Sequence, residues 1–155
     1  MKYEVSVDIE ADAPQVWKVL TDVELWPEWT WSIARAKRQS NAPFGLGSTV
    51  LVKQPRLKQM LWTVTAFEAP VAFTWQATQR GLVTVATHRV ERGADGTTLV
   101  TLTLEQRGAL ERVVRLFSAR TIRRYLDLER RGLKDRVERI TRQPYQPRIV
   151  VAAGQ

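Results

Sequence analysis

The sequence predicts an α+β fold in which a curved, seven-stranded antiparallel sheet wraps around one long C-terminal helix, with two short helices between strands 1 and 2. Three observations carry this. Between Ala109 and Ile140 there is no proline and one interior glycine, Gly132, and Leu, Arg, Glu and Lys dominate, all good helix formers. Residues 33–106 break into runs of alternating apolar and polar side chains separated by short turn signals, the pattern of hairpin-connected strands. The apolar face of such a sheet needs a cover, and the terminal helix is the only segment long enough to supply it.

In chain order, Lys2 to Glu10 alternates cleanly, with Tyr3, Val5, Val7 and Ile9 on one side and Lys2, Glu4, Ser6, Asp8 and Glu10 on the other. Ala11-Asp12-Ala13-Pro14 opens a helix, with Asp12 or Ala13 at the cap and Pro14 in the first turn, where its missing N–H costs nothing. Val16, Trp17 and Leu20 share one face of that helix. Asp22 is read as a second cap, before a short helical turn over Val23-Glu24-Leu25-Trp26 that Pro27 ends. Three of the six tryptophans, Trp26, Trp29 and Trp31, crowd the next stretch, either plugging one end of the sheet or lining a mouth.

The remaining strands are expected at Ile33–Gln39, Ser48–Gln54, Leu57–Glu68, Val71–Gln79, Gly81–Arg92 and Thr97–Gln106. Pro43–Gly47, Pro55-Arg56, Ala69-Pro70 and Gly93–Gly96 supply the turns. In the final helix the apolar side changes. Leu110, Val113, Val114 and Phe117 form one stripe, and Ala119, Ile122, Leu126, Leu133, Val137 and Ile140 form another about 150° away. One straight helix with one buried side cannot satisfy both, so a break, kink or change of partner is expected near Phe117–Ser118. Five opposite-charge pairs at i,i+4, from Glu111/Arg115 to Glu138/Arg142, support the exposed face. Residues 1–142 make a single domain; 143–155 are a tail with a short apolar run, Ile149-Val150-Val151, whose partner the sequence does not decide.

Composition narrows the function. There are no cysteines, hence no disulfide, thiol nucleophile or thiolate metal site, and His88 is the only histidine, which excludes a multi-histidine metal centre. No cofactor is expected. No apolar run is long enough to span a bilayer, and the alternating start is no signal peptide, so a cytoplasmic protein is the expectation. The net charge of +8 is unevenly placed: residues 1–106 hold eleven basic and eleven acidic side chains, and residues 107–142 hold twelve basic against five acidic. Either that helix docks on an anionic partner or it is a solvated face. No nucleic-acid-binding motif accompanies it, and no specific nucleic acid is expected.

The order of these segments resembles the helix-grip superfamily of START-like domains, and within it the polyketide cyclase/dehydrase family. The resemblance rests on Ile9-x-Ala11-x-Ala13, Val16-Trp17-x-x-Leu20-x-Asp22, Trp26-Pro27-x-Trp29 and Gly45-x-Gly47. His88 in its strand, Asp95-Gly96-Thr97 and Leu133-Lys134 add to it. It implies a cavity between sheet and helix that holds a small, mostly apolar molecule. The same fold hosts binders, transporters and enzymes.

Strand alternation turns the candidate residues inward. Met60, Trp62, Phe73 and Trp75 are expected to line the cavity, although ordinary core packing would place them identically. His88 shares a face with Leu82, Ala86 and Val90. It is read either as a hydrogen-bonded core residue or as a polar anchor or general acid–base for a ligand. Thr84 on the same strand and Tyr125 on the long helix are candidate polar contacts. The expected function is a soluble binder of an apolar lipid-, aromatic- or polyketide-like molecule. The alternatives are a cyclase/dehydrase-type enzyme using His88 and an interaction module using the basic helix. No Gly-x-Ser-x-Gly elbow or phosphate loop supports hydrolase or nucleotide chemistry. The sequence leaves the oligomeric state open.

Overall fold

The computed structural model describes residues 1–108 and 111–142, with the side chains of 111–118 left aside. Seven strands form one sheet: β1 (Lys2–Ile9), β2 (Arg35–Arg38), β3 (Thr49–Lys53), β4 (Met60–Glu68), β5 (Ala72–Gln79), β6 (Leu82–Arg92) and β7 (Thr98–Arg107). Their spatial order is β1-β7-β6-β5-β4-β3-β2, with every neighbouring pair antiparallel. Each hairpin step places a strand beside its predecessor. The first strand instead crosses to pair with the last, Lys2 against Glu105 through to Ile9 against Thr98. Helix α1 (Ala13–Thr21) and a 3₁₀ turn (Val23–Glu28) fill that crossover, and helix α2 (Glu111–Arg142) lies across the concave face.

The local chemistry follows the sequence at most joints. The Asp12 carboxylate accepts from the Gln15 amide at 3.2 Å, and the proline sits in the first turn of α1. Val16 and Leu20 are fully buried beneath it. Asp22 occupies the cap position of the 3₁₀ turn but makes no side-chain capping bond, so its expected capping role is corrected to a positional one. The turn also contains Pro27 and ends one residue after it. Strand β4 begins at Met60 rather than Leu57, because residues 54–57 close a turn with the Leu57 amide bonded to the Gln54 carbonyl.

One irregularity changes which side chains face the core. The pairing of β4 with β5 slips between Val64 and Ala66. The extra residue reverses the pleat, so Trp62 and Val64 point inward before it and Phe67 after it. Phe67 then joins Trp17, Phe44 and Phe73 near the α1 end, with ring centroids 5.6 and 6.0 Å from Trp17 and Phe44.

Helix α2 is continuous from Glu111 to Arg142, so no helical break occurs at Phe117–Ser118. Whether the first stripe has a partner of its own lies outside the described residues, as do Leu110 and the tail 143–155. The second stripe packs as the spacing requires, with Leu126, Leu133 and Val137 buried and Ala119 and Ile122 half-buried. Ile140, at the last turn, is exposed, a correction to its place in the stripe. Of the expected charge pairs, Asp127–Arg131 and Glu138–Arg142 form at 2.9 and 3.4 Å.

Glu138 ties the end of α2 to the rest of the chain. Its carboxylate accepts from the Glu10 amide at 3.0 Å and from Lys134 Nζ at 2.7 Å, with Arg142 at 3.4 Å. Burial pushes its pKa up. The Glu10 hydrogen bond and the two cations outweigh that, and the pKa lies below the usual glutamate value. A depressed carboxylate pKa adds stability above the unfolded-state value and loses it as pH falls through the folded-state value. Glu138→Gln is therefore expected to cost about 1 kcal/mol near neutral pH. That gap should close between roughly pH 5 and pH 3, as urea denaturation across that range will show.

Candidate functional site

Strands β4, β5 and β6 bring Trp62, Trp75, Ala86 and His88 onto one patch of the concave face, and α2 adds Leu126 and Glu129 above it. Trp26 closes the side. Its indole N–H donates to the Leu20 carbonyl at 3.1 Å, which holds the ring 5.2 Å from His88 and 5.3 Å from Trp75. The tryptophan run is thus split: Trp26 is core, Trp29 half-buried and Trp31 86% exposed.

His88 sits at the centre, 3% exposed. Phe73 stacks on its ring at 4.5 Å and 13°, and Trp75 meets it edge-on at 5.8 Å. Its Nε2 lies 2.8 Å from Glu129 Oε1, and both side chains are buried. An ionised carboxylate only accepts, so Nε2 carries the proton and donates. In the neutral ring Nδ1 is then the acceptor. Nδ1 is buried and has no hydrogen-bond partner among the described residues, and the same is true of Trp62 Nε1. A carboxylate-fixed imidazole with its second nitrogen free can accept a hydrogen bond from a ligand hydroxyl, or take and return a proton.

The space among these groups is small. The cavity among them measures about 50 Å³. That is room for about three to five water molecules, whereas sites for small organic ligands are typically about 300–1,000 Å³. The indoles of Trp26, Trp62 and Trp75 are all buried and line it.

The sequence candidates therefore divide. Trp62, Trp75 and His88 line the cavity. Phe73 supports His88 from behind, and Met60 is half-buried beyond the cavity wall. Thr84 is buried but accepts from Gln106 Nε2 at 3.4 Å, one end of the sheet away from the His88–Glu129 pair. Tyr125 is a correction. A residue adjacent to inward-facing Leu126 is turned by about 100° on a helix. Its phenol donates to the Pro55 carbonyl at 2.5 Å on the outer flank of α2. Glu129 was missed by sequence reasoning. It lies midway between Leu126 and Leu133 on the buried stripe, and a carboxylate at such a position is itself the signal.

The excess charge of α2 is partly balanced internally. Arg130 and Arg131 pair with Asp127, Arg136 with Glu28, and Arg142 with Glu10 and Glu138. No helix among the described residues is long and apolar enough to cross a membrane.

Residues 1–138 match the family described as polyketide cyclase/dehydrase and lipid transport. The chain belongs to that family. Solved structures share its fold at low identity. A protein of Thermus thermophilus is 13% identical with a TM-score of 0.74, over 91% of this chain and 99% of that one. The di-domain ARO/CYC BexL from the BE-7585A biosynthetic pathway is 15% identical with a TM-score of 0.73, over 92% of this chain and 48% of that one. Ara h 8.0201 is 12% identical with a TM-score of 0.69, over 88% and 97%. No curated protein sequence matches the chain. These likenesses establish the helix-grip fold, and the family supports a fold that binds apolar ligands.

Proposed function

We propose that this family member binds a small apolar molecule, aromatic or lipid- or polyketide-like, between its sheet and α2, with His88 as the polar anchor. The supporting observation is the buried Nδ1 of a Glu129-fixed imidazole, set without a partner in a wall that is otherwise aromatic. A buried acceptor left unsatisfied costs about 1–3 kcal/mol, which a ligand hydroxyl or N–H would recover. Because the interior cavity measures only about 50 Å³, a ligand displaces part of the wall on binding. Trp62 is the side chain proposed to move, since its indole N–H has no hydrogen bond to lose.

The test is titration with 1-naphthol, one fused ring system with one hydroxyl, read by tryptophan emission. Saturable quenching is expected, with affinity about tenfold weaker in His88→Leu/Glu129→Leu and for naphthalene, each lacking one hydrogen bond. Absence of quenching, or equal affinity for both compounds, counts against the anchor. A second reading, an enzyme of cyclase or dehydrase type, rests on the same pair, because a carboxylate-oriented imidazole is suited to moving a proton. Turnover lost in His88→Gln with binding retained would favour it.

A further inference from the structure

On the outer flank of α2 lies a second concavity of about 520 Å³, ten times the interior one and sharing none of its lining residues. Its walls are Trp31, Leu57, Tyr125 and Leu128, and its charged members are Arg56 and Arg124. No acid lines it. Four arginines further along α2 have carboxylate partners, whereas neither Arg56 nor Arg124 makes an ion pair among the described residues. Trp31 is 86% exposed and Leu57 40%, so a large ring and an alkyl wall face solvent beside two uncompensated guanidinium groups.

The groove is built rather than incidental. The Leu57 amide bonds to the Gln54 carbonyl at 3.2 Å and holds the loop tip at Arg56, whose φ is +62°. The Tyr125 phenol pins the same loop to α2 through the Pro55 carbonyl.

From this we infer that the groove binds an aromatic carboxylate. The ring lies against Trp31 and Leu128, and the carboxylate is held by Arg56 and Arg124. A guanidinium presents parallel N–H donors that match the two carboxylate oxygens, and an indole face takes a flat ring. A volume of about 520 Å³ is within the range of small-ligand sites. The concave shape favours such a molecule over a membrane surface, which would need several protruding apolar side chains.

The probe is 2-naphthoate, titrated into ¹⁵N-labelled protein and, by calorimetry, into Arg56→Gln/Arg124→Gln and Trp31→Ala. All three substitutions are at the surface and leave the interior cavity intact. The expected result is amide shift changes at Thr121, Arg124 and Leu128, with affinity about tenfold weaker in each variant and for the neutral 2-naphthamide. Shift changes centred on Ala86 and His88, equal affinity across the variants, or no binding would overturn the assignment. So would capture by phosphatidylglycerol vesicles that Trp31→Ala abolishes while 2-naphthoate stays inert; that result would reassign the patch to an anionic membrane. Failure of 1-naphthol to reach His88 leaves this test untouched.

Discussion

His88→Leu is expected to destabilise the protein by about 3–5 kcal/mol, the cost of leaving a buried carboxylate without its hydrogen-bond donor. The loss comes from what remains. Glu129 is 9% exposed, and its carboxylate would lose the donor that sits 2.8 Å away. Glu129→Leu leaves a neutral imidazole short of one acceptor, a smaller cost of about 1–3 kcal/mol. The double variant His88→Leu/Glu129→Leu removes both polar groups from an apolar wall, and should return to within about 1 kcal/mol of wild type or exceed it. Urea denaturation of the three variants checks the order. Three equal losses would mean that packing against Phe73 and Trp26, not the His88–Glu129 hydrogen bond, dominates at this position. The double variant also matters for function. It keeps the fold while deleting the proposed anchor, so it separates a ligand contact from a structural one.

Gly132→Ala carries the second large effect, and its sign opposes intuition. Glycine inside a helix is less favourable than alanine by about 1 kcal/mol, so propensity alone predicts stabilisation. Here a Cβ would lie 2.0 Å from the Trp29 carbonyl oxygen and 3.3 Å from the Trp29 ring. The obstacle is backbone, which cannot rotate aside. Helix α2 would have to move off the 3₁₀ turn, loosening the packing of Leu133 and Trp26. A net loss of about 1–3 kcal/mol is expected, or a fall of roughly 2–10 °C in Tm for a chain of this size. A higher Tm in Gly132→Ala would mean that the helix does not approach the turn this closely.

These two positions show where sequence reasoning succeeds and where it stops. The strands were legible because one side of each is buried, and alternation is then obligatory: β1 places Tyr3 and Ile9 in the core and Lys2, Glu4 and Asp8 in solvent. The long helix was legible from composition, but its continuity through 117–118 was not, because a helix can change neighbours without breaking. Gly132 was visible only as an interruption, since close approach of another segment leaves no mark on local pattern. The inward set of β4 to β6 gave Trp62, Trp75 and His88 correctly as neighbours in space, but periodicity cannot distinguish a wall that surrounds a void from one that fills it. The interior proves nearly full. Glu129 escaped because the buried stripe was defined by apolar residues, and the one polar member was left out of it. Tyr125 was misplaced for the converse reason: an aromatic residue on an amphipathic helix was given to the inner face, one position away from Leu126.

The interior and the outer groove call for different ligands. The first is aromatic-walled with a single buried acceptor, and suits an uncharged molecule carrying one donor. The second is open, cationic and flanked by an exposed indole, and suits an anion.

The central claim is that a small apolar molecule is held at His88 between the sheet and α2. Native mass spectrometry of the wild type and of His88→Leu/Glu129→Leu, purified in parallel from the same cells, tests it most directly. The account predicts a discrete extra mass on the wild-type protein that disappears on denaturation and is lost or strongly reduced in the folded double variant. A wild-type protein without any such mass, or a double variant that carries it undiminished, would contradict the claim.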